Sequence, residues 1–296
     1  MMKKHAYLIM AHNHWEQLKI LLHLIDDERN DIYIHIDKKC CNVDQTAFEK
    51  TVVKSKIYFV PQVSVQWAGY SQVECELNLM ECALKKQYSY LHLISGVDLP
   101  LKTQDEIHRF FEENEGQEFI QFNASPMDET YLDRIKYYHF FQEKCGRNKN
   151  IWFYLEKSSL KLQKKLKINR LKNCKLEIQK GTNWFSITSE FANYVMKQKD
   201  VIKKYFKYSC SGDEMFLQTI FINSSFMERL YDNSFSNNHY ACLRKIDWKR
   251  GNPYVFRKED FDELAASPHL FARKFDDTVD SEIIEMISKR LEGDNQ

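Results

Sequence analysis

The chain has 296 residues and a net charge of +1 at neutral pH, with 43% hydrophobic and 14% aromatic residues. This composition is sufficient for a large hydrophobic core, and the near-neutral charge excludes the basic signature of a nucleic-acid-binding protein. No stretch approaches about 18 consecutive apolar residues, and the N-terminal apolar run is too short for a signal peptide. We therefore expect a cytoplasmic protein.

Cysteine, glycine and proline usage bear on domain organisation. The eight cysteines are scattered and form no C-x-x-C pair, which favours free thiols over disulfides or a zinc site. Only eight glycines and five prolines are present, which argues against a long flexible linker. These observations predict a single domain over residues 1–296.

Hydrophobic periodicity predicts alternating strands and helices in the first part of the chain. Strands are predicted at Ala6–Met10, Asp31–Ile36, Ile57–Val60, Tyr90–Ile94 and Phe119–Phe122, and helices at Trp15–Ile25, Val73–Leu84 and after Thr103. The last helix opens with the capping-box pattern Thr103-x-x-Glu106. The alternation predicts an α/β fold with a mostly parallel central sheet flanked by helices on both faces.

Polar residues follow three of the predicted strands, at His12-Asn13-His14, Asp37-Lys38 and Ser95-Gly96-Val97-Asp98. Ligands of open α/β sheets bind beyond the carboxyl ends of the strands, so these loops are candidate ligand contacts. Two histidines without a nearby carboxylate or thiol are a weak metal pattern. Asp37 fits a nucleoside contact or a simple turn, and the 95–98 loop fits ligand binding or chain reversal. Neither G-x-G-x-x-G nor a P-loop motif occurs.

The stretch Ser211-Gly212-Asp213-Glu214 precedes a predicted helix that begins near Met215 and buries one apolar face. Ser211 and Glu214 fit the S-x-x-E capping box, in which the glutamate only returns a hydrogen bond to the cap. A glutamate at the start of a buried helix is also ionised and fixed in direction, as a general base requires. The local pattern is compatible with both interpretations.

Six segments in the same order resemble the core-2/I-branching β-1,6-N-acetylglucosaminyltransferases and the related peptide O-xylosyltransferases, which form glycosyltransferase family 14. The segments are Ala6–His12 with Ile34–Lys38, Val65–Ser71, Tyr90–Lys102, Gly181–Ile187, Ser211–Glu214 with Gln218-Thr219, and Leu270–Asp276. The resemblance implies a GT-A-type fold, a UDP-sugar donor, inversion at the sugar carbon and no divalent metal.

The resemblance also assigns roles to particular residues. Glu214 matches the family's catalytic base, and Lys274 matches a lysine that contacts the diphosphate. Arg273 and Arg250 are predicted to help hold the diphosphate, although the aligned position for the latter falls on or beside Gly251. The remaining predicted contacts are His12 and Asp37 for the nucleoside, and Ser95, Gly96, Asp98, Asp213 and Trp248 for the sugar or the acceptor. Trp184 could stack on a sugar but is better explained as a core residue.

The expected absence of a metal can be examined in the sequence. A metal-dependent GT-A enzyme is expected to carry Asp-x-Asp at the end of a central strand, and Asp98 has no such partner. The only Asp-x-Asp is Asp260-Phe-Asp262, at a predicted helix start where acidic residues favour the helix dipole. We therefore expect no cofactor and no metal ligands, with fixed lysine and arginine side chains stabilising the departing UDP.

The expected function is inverting, metal-independent transfer of a sugar from a UDP-sugar to a hydroxyl of a glycan acceptor, forming a β-linkage. N-acetylglucosamine is the favoured sugar, with xylose or glucose as alternatives. The hypothesis of a different class is a non-catalytic nucleotide-sugar- or glycan-binding protein on the same scaffold. The presence of Glu214 together with Lys274 favours the enzyme.

The segment Lys144–Lys180 departs from the alternation, since it contains twelve Lys and Arg residues against two Asp and Glu. A basic amphipathic insertion of this kind fits peripheral contact with an anionic membrane, which would bring the enzyme to a lipid-linked acceptor. It equally fits a solvated helix that covers the acceptor cleft. Because the chain begins directly at its first strand, we expect a bacterial cytosolic form that builds a surface polysaccharide, for which the basic segment would supply peripheral contact with the inner face of the plasma membrane. Residues 277–296 are predicted to form a terminal amphipathic helix that packs on the domain or on a partner.

Overall fold

A computed structural model describes residues 3–124 and 127–293. The strands are β1 (His5–Ala11), β2 (Asn30–Ile36), β3 (Lys56–Phe59), β4 (Tyr90–Ser95), β5 (Leu99–Pro100), β6 (Phe119–Ile120), β7 (Phe185–Thr188), β8 (Arg244–Ile246) and β9 (Phe271–Arg273). The helices are α1 (Trp15–Leu24), α2 (Gln45–Glu49), α3 (Tyr70–Ala83), α4 (Gln104–Glu113), α5 (Glu129–Lys136), α6 (Gln142–Cys145), α7 (Ile151–Lys165), α8 (Ser189–Lys197), α9 (Lys199–Phe206), α10 (Phe216–Ile222), α11 (Phe261–Ala265) and α12 (Glu282–Gly293).

The central sheet has six strands in the order β3-β2-β1-β4-β7-β6. The pairs β3–β2, β2–β1 and β1–β4 are parallel, whereas β7 runs antiparallel to both β4 and β6. The predicted strands and helices are therefore confirmed. Strands β1, β2, β3 and β4 pair in parallel, and β7 is the strand that runs against its neighbours. The strand predicted at Phe119–Phe122 is shorter, because only Phe119 and Ile120 pair with β7.

Alternation along β1 explains why helices cover both faces of the sheet. Ala6 and Leu8 pack with α3, α8 and α10 on one face, and Tyr7 and Ile9 pack with α1, α4 and α12 on the other. Side chains of a strand point to opposite faces in turn, so an uninterrupted apolar run such as Ala6–Ala11 of β1 marks a strand buried on both sides. The Thr103 capping box is present at the start of α4, as predicted.

A smaller sheet, in the order β5-β9-β8, lies against the central one. Arg244 of β8 is fully buried and connects the two sheets, since its guanidinium donates to the Ser186 hydroxyl at 2.8 Å and to the Leu93 carbonyl at 3.0 Å. Strands β8 and β9 are parallel, with Ile246 opposite Arg273. Residues 247–248 and Lys274 therefore leave this small sheet at the same edge.

The C-terminal helix is confirmed from Glu282 to Gly293, and Ile283, Ile284 and Ile287 are buried against the core that includes α1. It packs on the domain; residues 294–296 of the predicted span lie outside the described residues. All eight cysteines are described and free. None of the helices in residues 3–124 and 127–293 has the length and hydropathy needed to cross a bilayer.

Candidate active site

The carboxyl ends of the four parallel strands meet at one edge of the central sheet. Backbone hydrogen bonds hold the loops that follow them: the Asp37 amide donates to the Ala11 carbonyl at 3.0 Å, and the Gly96 amide to the Met10 carbonyl at 3.0 Å. The loops after β1, β2 and β4 are thus brought together, as the sequence predicts for a ligand-binding edge.

Glu214 lies at the end of a 3₁₀ turn, Gly212–Glu214, which precedes α10. Its Oε2 accepts a hydrogen bond from Arg134 Nη1 at 2.9 Å and lies 3.0 Å from Lys180 Nζ. Both cations also contact the ring of Tyr131, at 5.0 Å and 4.8 Å from its centroid. The other oxygen, Oε1, has no hydrogen-bond partner in residues 3–124 and 127–293. We call Tyr131, Arg134, Lys180 and Glu214 the Glu214 corner.

The capping-box interpretation of Ser211 and Glu214 is wrong. Ser211 adopts a left-handed conformation with φ of 53°, and its side chain makes no capping hydrogen bond. The turn is held instead through its backbone, since the Ser211 amide donates to the Ala68 carbonyl at 2.8 Å and the Gly181 amide to the Glu214 carbonyl at 2.9 Å. The Glu214 carboxylate is therefore directed to Arg134 and Lys180 and not to the cap.

Asp213 points in the opposite direction from Glu214, into the protein. Its Oδ2 accepts a hydrogen bond from Gln72 of α3 at 3.2 Å, and its buried Oδ1 has no partner among the described residues. Burial, followed by the charge of Glu214, raises the pKa of Asp213 to about 7. Glu76 lies one helical turn beyond Gln72, and burial and the charge of Asp213 raise the pKa of Glu76 well above its usual value. Two carboxyl groups that disfavour ionisation therefore support the turn from behind, and direct contact of Asp213 with a sugar stays a prediction.

The second group of predicted residues lies at the ends of β1, β2 and β9. We call His12, Asp37, Lys39 and Lys274 the Lys274 corner. Partial burial lowers the pKa of the His12 ring; Asp37 opposes this effect, while the charges of Lys39 and Lys274 reinforce it, so all four groups interact electrostatically. Lys39 Nζ lies 3.6 Å from Asp37 Oδ2. Lys274 makes no ion pair or side-chain hydrogen bond with any other part of the chain that the structure describes.

Asp98 and Arg273 pair with each other inside the protein. The Asp98 carboxylate accepts hydrogen bonds from the Ser95 amide at 3.0 Å and from the Ser95 hydroxyl at 2.6 Å. Its Oδ1 also lies 3.4 Å from Arg273 Nε, and the Arg273 guanidinium stacks on the Trp184 ring at 4.0 Å. Trp184 is buried in the core, as predicted. The structure thus gives Asp98 and Arg273 an internal role, which positions the segment that carries Lys274.

The tight turn after β4 is closely packed at Gly96. A Cβ at this glycine would lie 3.3 Å from the Ala11 side chain, so the loop after β4 packs directly against the end of β1. Ser95 is buried, because its hydroxyl is bound by Asp98. The predicted contacts of Ser95 and Gly96 with a sugar or an acceptor are not tested by this geometry.

Arg250 has carboxylate partners that the sequence did not indicate. Its guanidinium contacts Asp247 at 2.5 Å, Asp260 at 2.5 Å and Glu263 at 3.4 Å, and it lies over the Tyr254 ring. The structure therefore occupies Arg250 with three acids and does not present it as a free diphosphate ligand. Asp260 belongs to the start of α11, as predicted for the only Asp-x-Asp of the chain.

Trp248 is half exposed and follows β8 at the edge that also carries Lys274. Its ring centroid lies 6.5 Å from that of His239. Burial, together with the charge of Lys180, lowers the pKa of His239 to about 4. The Trp248 ring thus lies beside His239, on which the charge of Lys180 in the Glu214 corner acts, and an exposed indole at this place is suited to stack on a sugar ring.

Two series of contacts lead from the Glu214 turn toward the Lys274 corner. On one side, the Ser211 amide binds the Ala68 carbonyl, and the same loop contacts Lys39 Nζ through the Val65 carbonyl at 2.5 Å. On the other side, Gly181 binds the Glu214 backbone, and the segment that follows it carries Trp184, on which Arg273 stacks. The contacts therefore reach Lys39 on one side and Arg273, the neighbour of Lys274 in the chain, on the other.

His14 lies beside Asp276 and Asp277, with Nδ1 2.5 Å from Asp277 Oδ1 and Nε2 3.7 Å from Asp276 Oδ2. This is the one group of His, Cys, Asp and Glu side chains in residues 3–124 and 127–293 whose geometry could hold a metal ion. His12 is not part of it. In the structure the contacts of His14 with Asp276 and Asp277 hold the segment after Lys274 against the start of α1.

Sequence reasoning missed Arg134, Lys180, Gln72 and Glu76. Lys180 belongs to the basic segment interpreted as an insertion, but it directly precedes the Gly181–Ile187 block, and this adjacency was the available signal. Gln72 and Glu76 are four residues apart on α3 and therefore share a helix face. Nothing local distinguishes Arg134 from the other basic residues of its region.

Comparison with known proteins assigns the family. The model of the core-2/I-branching enzyme family matches residues 5–265. The chain belongs to the core-2/I-branching enzyme family. Its members are glycosyltransferases, and the α/β architecture described above agrees with the GT-A-type fold that the resemblance implied.

Individual relatives of this core-2/I-branching family member are distant. The chain is 25% identical to xylosyltransferase 2 of Homo sapiens over 97% of its own length and 34% of that protein, and 22% identical to the xylosyltransferase of Ciona intestinalis over 98% and 34%. It spans about one third of the length of these curated relatives. Among solved structures, mouse xyloside xylosyltransferase 1 matches 90% of this chain and 96% of that chain, with 12% identity and a TM-score of 0.36.

Proposed function

We propose that this chain is an inverting glycosyltransferase that moves a sugar from a UDP-sugar to a hydroxyl of a glycan acceptor. The proposal rests on family membership and on one observation: Glu214 has one carboxylate oxygen fixed by Arg134 and Lys180 and the other without a protein partner in residues 3–124 and 127–293. A general base requires this arrangement, since it must be held in direction and still accept a proton.

In the proposed mechanism, Oε1 of Glu214 takes the proton of the acceptor hydroxyl as that oxygen attacks the anomeric carbon. The bond between the anomeric carbon and the β-phosphate oxygen breaks, and its electron pair stays on UDP. Attack from the face opposite UDP converts an α-linked donor into a β-linked product. Lys274 stabilises the charge that develops on the diphosphate, as fixed cations do for other developing anions.

We further propose that no divalent metal takes part in this reaction. The position at the end of β4 where a metal ligand would be expected is Asp98, and its oxygens are bound by Ser95 and Arg273. In the Asp-x-Asp of the chain, Asp260 is bound by Arg250 at the start of α11. Lys274 has no ion-pair partner in residues 3–124 and 127–293 and is placed to take over the charge stabilisation.

For the donor we propose UDP-N-acetylglucosamine, the sugar implied by the resemblance to the core-2/I-branching β-1,6-N-acetylglucosaminyltransferases. UDP-xylose is the second candidate, because the relatives reported above are named xylosyltransferases. His12 and Asp37 are the proposed nucleoside contacts. Trp248 is the proposed acceptor contact, since its exposed ring is near His239 and hence near the Glu214 corner.

The test is UDP release from UDP-N-acetylglucosamine, UDP-xylose and UDP-glucose in the presence of EDTA and glycan acceptors. Replacing Glu214 by Gln is expected to lower kcat by about 10²- to 10⁴-fold, because the variant cannot take the proton. UDP binding, measured by the rise in Tm, is expected to be retained. Glu228→Gln, at an exposed glutamate outside the site, is the matched control and is expected to match the parent.

Two outcomes would overturn parts of this proposal. If parent and Glu214→Gln proteins are equally inactive but both bind UDP, the chain is a nucleotide-sugar-binding protein. If EDTA abolishes activity and Mn²⁺ restores it, the metal-independent mechanism is wrong; the group His14, Asp276 and Asp277 would then be the first place to substitute.

A further inference from the structure

The buried side chains of helix α7 are polar, whereas several of its apolar side chains are exposed. Its buried side chains are Glu156 and Gln163. The Glu156 carboxylate accepts a hydrogen bond from the Phe141 amide at 2.9 Å, and the Gln163 side chain both accepts from and donates to the Tyr138 backbone at 2.8 Å. The helix is thus attached to the domain through polar contacts.

Beside this buried face, α7 carries a stripe of apolar side chains that is open to solvent. The exposed apolar side chains are Ile151, Tyr154, Leu155, Leu162 and Leu166, each between 40% and 67% exposed. Ile151, Leu155, Leu162 and Leu166 recur at helical spacing and form one stripe. By contrast, α4 buries Ile107 and Phe111, as a surface helix ordinarily does. An exposed apolar stripe on a soluble domain marks an interaction surface.

Lysines border this stripe without acidic partners. Lys161, Lys165 and Lys167 are exposed and make no ion pair with any residue in the described ranges, and Lys164 pairs with Asp133 of α5. The single acidic residue of α7, Glu156, is turned inward. A second copy of this chain would place like charges against each other, whereas an anionic surface would be attracted to them.

We propose that α7 is a membrane-docking helix that lies in the plane of an anionic phospholipid bilayer. The apolar stripe would enter the boundary between headgroups and acyl chains, and the bordering lysines would contact lipid phosphates. Interfacial helices combine an apolar face with lysine or arginine in this way. The surface would hold the protein on the inner face of the plasma membrane.

The segment that precedes α7 contacts the loop that holds the Glu214 turn. Gln142 of α6 donates to the Trp67 carbonyl at 3.0 Å, and the Arg147 guanidinium lies 4.6 Å from the Trp67 ring centroid. The same loop contacts the Glu214 turn through Ala68 and Ser211. If the proposed transferase function holds, docking through α7 would bring the Glu214 corner toward the bilayer, which suits a lipid-linked acceptor.

The experiment is co-sedimentation of the full chain with phosphatidylcholine vesicles and with vesicles that also contain phosphatidylglycerol. We expect binding to the anionic vesicles only, weakened by high salt because exposed charges are screened. The double variants Leu155→Ser/Leu162→Ser and Lys161→Glu/Lys165→Glu are each expected to weaken this binding at least tenfold. The substituted side chains are exposed, so the fold should persist.

Matched controls are Val53→Ser, an exposed valine outside α7, and Lys50→Glu/Lys85→Glu, at exposed lysines elsewhere; both should bind within twofold of the parent. Binding to both vesicle types alike, no binding by the parent, or unchanged binding by the double variants would each overturn the proposal. A dimer that Leu155→Ser/Leu162→Ser abolishes in sedimentation velocity would show that a second copy covers the helix instead. UDP binding by the same proteins is measured in parallel. Failure to bind vesicles while UDP is still bound would concern the docking proposal alone, whereas failure of the parent to bind UDP would concern the transferase proposal.

Discussion

The Glu214 corner and the Lys274 corner differ in how their charges are satisfied. At the Glu214 corner, Arg134 and Lys180 converge on one carboxylate oxygen, and both cations also lie over Tyr131. At the Lys274 corner, Lys39 lies near Asp37, but Lys274 itself has no carboxylate within ion-pair distance in residues 3–124 and 127–293. Contacts lead from the Glu214 turn to Lys39 and to Arg273, so the contrast between the two corners lies in how their side chains are paired.

The difference indicates which corner changes most when ligand binds. An ion pair that is already formed and partly buried keeps its geometry without a ligand, whereas a solvated lysine gains interaction energy only when an anion arrives. We therefore expect the Glu214 corner to be preorganised and the Lys274 corner to provide much of the affinity for UDP.

After Glu214→Gln, the largest effect is expected from Lys274→Ala. Loss of the unpaired cation should reduce kcat/KM for the donor by about 10²- to 10³-fold, since the diphosphate loses its charge partner in the transition state. The rise in Tm caused by UDP should shrink in the same variant. Lys85→Ala is the control and should match the parent. A UDP-induced Tm shift in Lys274→Ala equal to that of the parent would show that the diphosphate binds elsewhere.

Asp213→Asn tests the buried support behind Glu214. The folded-state pKa of Asp213 is about 7, above its ordinary value of 3.8. The folded state therefore holds this proton more tightly than the unfolded state. The free energy of unfolding should fall by a few kcal/mol as pH rises from about 4 through about 7. The Asn variant cannot ionise and should lose this part of the pH dependence, as measured by urea unfolding at several pH values. An unchanged slope would contradict the assignment.

Arg134→Gln removes one of the two cations on Glu214. Lys180 remains in contact with the same oxygen. We expect kcat to fall about tenfold, within the range of a lost charge-assisted hydrogen bond, while UDP affinity is retained. Arg134→Lys should recover part of the activity. A loss of UDP affinity instead of kcat would mean that the two corners are not functionally separate.

The smallest effect on activity is expected from Arg250→Gln. Since its guanidinium is engaged by Asp247, Asp260 and Glu263, we expect kcat/KM within about threefold of the parent and a loss of about 1–2 kcal/mol in the free energy of unfolding. A large loss of donor affinity at unchanged stability would restore Arg250 to the diphosphate site.

Several features of the fold followed from local patterns. The apolar runs of β1, β2 and β4 and the spacing of α1 and α3 are strong signals, because strands and helices buried on a shared core must repeat at their own periods. The capping box of Thr103 was recognised correctly for the same local reason. The identical pattern at Ser211 failed, because backbone contacts with Ala68 and Gly181 decide that turn.

The sequence by itself determined the α/β class, the sheet edge that carries His12, Asp37 and the 95–98 loop, and the family to which the chain belongs. Only the tertiary structure decided that Arg134 and Lys180 hold Glu214, that Arg250 is engaged by acids and Arg273 by buried Asp98, and that α7 exposes Leu155 and Leu162. Periodicity records which residues share a face of one element. The partner of a charged side chain depends on which distant segments pack beside it, and on whether burial leaves an opposite charge within reach.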